Sequence, residues 1–229
     1  MTFFEETKNL VRDFVFGMQD GLVSNLGLVL GVWQGGGGKF AIILAGLASM
    51  FAGAFSMSAG SYLSAKSQRE VYEREIKVTK DEIKKNPEKF IKEMRIILKK
   101  EKFDKNEIDA MCNHFLRHNE STFIKNYIQK KLGLSEERFD MPVKNAFTMF
   151  LSFLAGSVFP ISPFFFFSNG IAAMVATILT IAAFFIVGVI KTIYTKQNWF
   201  RSGIEIFIIG IVAGIIGYLV GFFTNLLVY

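Results

Sequence analysis

The sequence is poor in three residues that usually signal extracellular scaffolds, broken loops or metal centres: it has one cysteine, four prolines and two histidines in 229 residues. A single Cys112 rules out an internal disulfide framework, and its place in a charged segment predicts a reduced thiol. The scarcity of proline leaves long stretches free of helix breakers. No Gly-rich phosphate loop, nucleophile elbow or HExxH pattern occurs, so the usual signatures of nucleotide, acyl and zinc-hydrolase chemistry are missing. Charge is missing too, in blocks: residues 40–65, 145–190 and 206–229 carry none, over 26, 46 and 24 residues.

A uniform soluble domain mixes its apolar and charged residues. Here they are segregated, with 51% hydrophobic residues overall and the 20% charged residues concentrated elsewhere. About 20 apolar residues span a bilayer as a helix, so the first and third blocks hold one span each and the second holds two. Pro160, Pro163 and Ser168-Asn169-Gly170 mark the turn inside the second block. With the apolar opening segment this predicts five spans, near 14–33, 41–65, 145–166, 171–191 and 204–227. The expected fold class is an all-α integral membrane protein with five transmembrane helices and a small cytoplasmic helical domain inserted between spans 2 and 3. The domain boundaries expected are 1–13 for an amphipathic N-terminal helix, 14–65 for spans 1 and 2, 66–142 for the insert and 143–229 for spans 3 to 5.

Positive charge orients the spans. The insert holds 14 Lys and 5 Arg against 15 acidic residues, and the short loop 191–201 adds Lys191, Lys196 and Arg201. By the positive-inside rule the insert, that loop and the N-terminus are cytoplasmic. The opening MTFFEETKNLVRDF reads as a helix on the inner membrane surface, not as a cleavable signal peptide. The net charge of +6 is explained by cytoplasmic loops, and no nucleic-acid partner is expected.

Within the insert, SAKSQREVYEREIKVTKDEIKKN predicts a helix that continues span 2 until Asn86-Pro87. Phe90, Ile91, Met94, Ile97 and Leu98 form the apolar face of a second helix. Asp104 followed by Glu107 is a capping-box signal for a third, and Gly133 closes a fourth. His114 and His118 stand four apart near Cys112 and Glu120, a spacing open to a transition metal, but Arg117 lies between them and an ordinary exposed helix face is the preferred reading.

The spans carry polar and small residues in register. Asp13, Gly17, Asp20, Ser24, Gly27 and Gly31 share one face of the first helix, and Gly46, Met50, Gly53, Met57 and Gly60 share one face of the second. Glycines four apart let helices approach closely in lipid, and the partner could be the same chain or a second copy. An aspartate at bilayer depth costs roughly 2.5–3.5 kcal/mol on insertion scales, so Asp20 needs a reason. Carboxylate and hydroxyl on one helix with thioethers on the next would line a path for a borderline metal ion; the alternative is that the methionines fill packing gaps.

Two stretches, DGLVSNLGLVLGV (20–32) and LAGLASMFAGAFSMSAGSYLSAKSQRE (44–70), together resemble the vacuolar iron transporter family. The likeness continues through a charged insert, the Leu132–Leu134 LGL and the N-A-F…F-L-A-G-S…P-x-x-P span at 145–163. The resemblance implies a five-span homodimer joined through transmembrane helix 1. It implies Fe²⁺ or Mn²⁺ as transported substrate, no cofactor, movement out of the cytosol and exchange for protons, in a prokaryotic inner membrane or a vacuolar membrane. It assigns metal handling to Asp20 and Met57, on a pathway that also includes Ser24, Asn25, Met50 and Ser61. Ser61 stands where many members have a glutamate. The family's insert gathers glutamates and a methionine around metal; here Glu82 and Glu93 persist, with Glu73 beside them as a further candidate ligand. Thr79, Phe90, Tyr127 and Lys131 occupy the other positions. These departures motivate the alternative of a non-transporting, metal-responsive or scaffolding membrane dimer.

Overall fold

In a computed structural model of the chain, residues 3–118, 120–133, 141–196 and 198–228 are described. Among them every regular element is a helix: α1 (Phe3–Gln34), α2 (Lys39–Lys85), α3 (Pro87–Lys100), α4 (Lys105–His118), α5 (Glu120–Leu132), α6 (Pro142–Ile161), α7 (Pro163–Phe166), α8 (Asn169–Thr195) and α9 (Trp199–Val228). Five are long and apolar enough to cross a membrane, within Leu10–Gln34, Lys39–Lys85, Pro142–Phe166, Gly170–Thr192 and Trp199–Leu227. These are the five expected spans, and the protein is a multi-pass membrane protein. The first helix has no break between the amphipathic opening and the span. The end of the LGL motif at Leu134, and Asn119 between the two short helices, lie outside the described residues.

The described residues divide into two compact units, the membrane helices (within 3–65 and 141–228) and the insert (within 66–133). In the membrane unit α1 is the central element, packed closely on α6, α9 and α8. Its closest approaches are made by glycine. A methyl on Gly217 or Gly221 of α9 would strike the carbonyls of Gly27 and Gly31, and one on Gly21 or Gly156 would strike the backbone across the α1–α6 crossing. The glycine rows of α1 and α9 are thus spent on contacts within one chain, where backbone-to-backbone dispersion replaces the hydrophobic drive that lipid cannot supply. Leu26, Val29, Leu30, Ile161, Phe164 and Ala176 form one buried cluster, and Leu22, Ala183, Phe184 and Val187 form another.

The α1–α2 connection is fixed locally. Gly36 adopts φ +85°, and the N–H groups of Gly36 and Gly37 donate to the carbonyls of Trp33 and Val32 at 3.2 and 2.8 Å. That pairing closes the open carbonyls at the end of α1 and demands a left-handed residue, which glycine supplies without strain. The membrane part of α2 touches α6 through side chains, with Gly46 against Ile161 and Gly53 against the Phe153 ring. Leu44, Phe51, Phe55 and Leu63 of the same helix remain exposed.

In the insert, Ile76 and Ile83 of α2, Phe90, Met94 and Leu98 of α3, Ile108 and Cys112 of α4, and Phe123, Ile124, Tyr127 and Ile128 of α5 make one core. The starts of α3 and α4 are specified by their sequence. Asn86 accepts from Lys89 N–H at 3.3 Å with Pro87 in the first turn. Asp104 and Glu107 form a reciprocal capping box, each side chain accepting from the other's backbone N–H at 2.8 Å.

Candidate functional site

The polar stripe of α1 is divided among three environments. Asp13, at the start of the span, is 4% exposed and accepts from Arg12 Nε at 3.2 Å. Gly17 packs on Met149 and Ser152 of α6, while Gly27 and Gly31 are covered by α9. Between those coverings Asp20 is half-buried and Ser24 exposed, and the Ser24 hydroxyl donates to Asp20 Oδ1 at 3.1 Å. The carboxylate and hydroxyl therefore sit together on the one part of the stripe left open.

Asn25 belongs to a different face. It is fully buried, and its Nδ2 donates to Ser157 Oγ of α6 at 2.8 Å and to the Gly21 carbonyl at 3.2 Å. Ser157 in turn donates to the Phe153 carbonyl at 2.7 Å, so this polar pair joins two helices. Periodicity does not single out Ser157, because a serine on an apolar helix more often bonds its own preceding turn. The thioether stripe is divided as well. Met50 packs beside Ile43 against the cluster of Leu26 and Leu30, which is the gap-filling role open to a methionine. Met57 and Ser61 follow on α2, both half-buried.

Of the three candidate glutamates of the insert, Glu73 and Glu93 are engaged. Glu73 accepts from Arg69 Nε at 2.7 Å, one turn away, and Glu82 is exposed. Glu93 Oε2 accepts from the Tyr127 hydroxyl at 2.6 Å and from Lys131 Nζ at 3.0 Å. The hydroxyl and the ammonium, in that order, hold the Glu93 carboxyl below its ordinary value of 4.5. Burial, reinforced by Glu93 and Glu82, pushes the Tyr127 phenol far above its usual range. The metal cluster that the family resemblance implies does not fit these residues: a lysine ammonium lies against the glutamate that would bind, and among the described residues no three His, Cys, Asp or Glu side chains gather. His114 is exposed; the side chain of His118 lies outside the description.

Five apolar helices, the first with a half-buried aspartate within its span, define a polytopic membrane protein. A sequence model of the VIT family matches residues 11–222. Vacuolar iron transporter 1 of Arabidopsis thaliana is 30% identical over 205 residues, 89% of this chain and 82% of that protein. Vacuolar iron transporter 1 of Tulipa gesneriana is 32% identical over 211 residues, 92% of this chain and 85% of its own length. The vacuolar iron transporter of Plasmodium falciparum is 27% identical over 224 residues, 93% of this chain and 82% of that one. The chain belongs to the VIT family.

Proposed function

We propose that this protein transports a divalent transition metal, Fe²⁺ foremost and Mn²⁺ as a second substrate, out of the cytosol in exchange for protons. The observation that carries the reading is the Asp20–Ser24 pair on the open part of α1. An uncovered carboxylate facing hydrocarbon is costly, so that face calls for a protein or water surface. A second copy, apposed along helix 1, would supply one and bring two Asp20 carboxylates to a shared path. A carboxylate with a thioether from Met57 suits a borderline metal better than Mg²⁺ or Ca²⁺, which take oxygen ligands. An ionised Asp20 can hold the metal, and a protonated one releases it and carries the proton back. The names of the relatives support metal as the cargo. Lysine and arginine in the 191–201 loop support a cytoplasmic insert and N-terminus, in a prokaryotic inner membrane or a vacuolar membrane.

The test is Fe²⁺ uptake into proteoliposomes under an imposed pH gradient. Gradient-dependent uptake by the wild type, abolished in a folded Asp20→Asn variant, is the expected result. Uptake that persists in that variant would remove Asp20 from the mechanism. Absence of any uptake of Fe²⁺, Mn²⁺, Co²⁺ or Zn²⁺ by folded wild type would favour the non-transporting dimer, for which Ser61 and the occupied Glu93 speak.

A further inference from the structure

We propose that the insert is held together by its own lysine where a metal ion would otherwise sit: Lys131 brings to Glu93 the positive charge that a divalent cation would bring, and the unit neither requires nor senses metal. The inference concerns the insert alone and does not depend on the transport reading.

The geometry is specified from the core outward. Tyr127 is 3% exposed and packs edge-on to Phe90 with ring centroids 5.2 Å apart, so packing on α3 fixes where its hydroxyl points. That hydroxyl and Lys131 Nζ, one helical turn further along α5, converge on the same oxygen of Glu93. The preceding residue, Lys130, pairs with Glu101, the residue that caps the C-terminus of α3. Two consecutive lysines in the last turn of α5 thus clamp Glu93 on α3 and Glu101 just beyond it, and both also sit favourably at a helix C-terminus. The surface cavity here, about 490 Å³, is lined by Lys100, Lys130 and Lys131 against Glu93 and Glu101. Ammonium groups outnumber carboxylates, so the local charge opposes a divalent cation. Transition-metal sites commonly take four protein ligands, and hard cations six or more oxygens; Glu82 and Glu93 alone do not make such a set. A metal-organised domain assembles only when its ion is present. A lysine is charged at any cytosolic pH, so this unit stays assembled whatever the metal level.

The experiment uses the full-length protein in lipid nanodiscs, with Asp20→Asn as background to silence the membrane site. Mn²⁺ binding is read by electron paramagnetic resonance, and integrity of the insert by the labelling rate of buried Cys112. Essentially no bound Mn²⁺ at about 0.1 mM free ion, a level that fills sensor-grade sites, and Cys112 labelling unaffected by EDTA are expected. One Mn²⁺ per protomer that disappears in Glu93→Gln would overturn the proposal. Lys131→Glu, which places a second carboxylate beside Glu93, is expected to tighten Mn²⁺ binding at least tenfold; no gain would show that the ammonium does not occupy a metal position. Lys131→Met is expected to speed Cys112 labelling severalfold, and an unchanged rate would refute the bracing role.

Discussion

Gly217→Ala isolates the contact that holds α9 on α1. The added methyl would meet the carbonyl, Cα and carbonyl carbon of Gly27, all backbone atoms of a packed helix. No side chain can rotate away, so the two helices must separate. Overpacking of this kind costs about 1–3 kcal/mol. The control is Gly60→Ala on α2, where a methyl meets nothing within 4 Å. There the substitution only limits backbone freedom and is expected to be neutral or to stabilise by up to about 1 kcal/mol. Reversible unfolding by steric trapping in bicelles measures both on one scale. The control is expected to exceed Gly217→Ala in stability by at least about 1 kcal/mol. Equal stabilities would mean that α1 and α9 do not pack through these glycines. Restoration of Gly217→Ala stability at high protein density would point to the glycine row as a contact between copies.

Asn25→Leu tests the buried polar pair of α1 and α6. Interhelical hydrogen bonds in membranes average about 0.6 kcal/mol, Ser157 keeps its bond to Phe153, and Asn25 Oδ1 has no partner among the described residues. The variant is therefore expected to lie within about 1 kcal/mol of wild type by steric trapping, and a loss well beyond that would show that Oδ1 is bonded. Asp104→Ala removes one half of the capping box and should cost about 0.5–2 kcal/mol, read as faster hydrogen exchange in the first turn of α4; unchanged exchange would refute the cap. Glu93 has a depressed pKa in the folded protein, so its contribution to stability is complete above its ordinary 4.5 and fades as pH falls through the lower folded value. Glu93→Gln should flatten the acid limb of the insert's stability profile below that pH, and an unchanged limb would contradict the pairing with Tyr127 and Lys131.

The elements that local rules govern were legible in the sequence. Blocks without charge marked the five spans, Asn86-Pro87 marked the end of a 47-residue α2, and Asp104 with Glu107 marked a cap that forms as written. Five apolar positions predicted for α3 face the insert's core, three of them buried. Partner choice was the part that periodicity does not encode. The six-residue stripe of α1 is a single row on a helix wheel, yet it meets α6 at Gly17, is exposed at Ser24, and meets α9 at Gly27. A helix crosses each neighbour at an angle and leaves it after two turns, so one row serves several neighbours in succession. For the same reason Met50 and Met57, seven residues apart on one face, need not share a role.

That succession also accounts for how the membrane unit distributes its polar side chains. Asn25 Nδ2 and Ser157 Oγ meet where α1 and α6 lie close, and Thr177 and Thr224 bond the carbonyls one turn back at 2.8 Å. These hydrogen bonds serve packing. Among the described residues the donor to Asp20 is a serine one turn away, which neither neutralises the carboxylate nor covers it. In the insert Glu93 receives a phenol and an ammonium at once. Asp20 lies within a membrane span beside the exposed Ser24, and the proposed path for a cation is therefore tested there first.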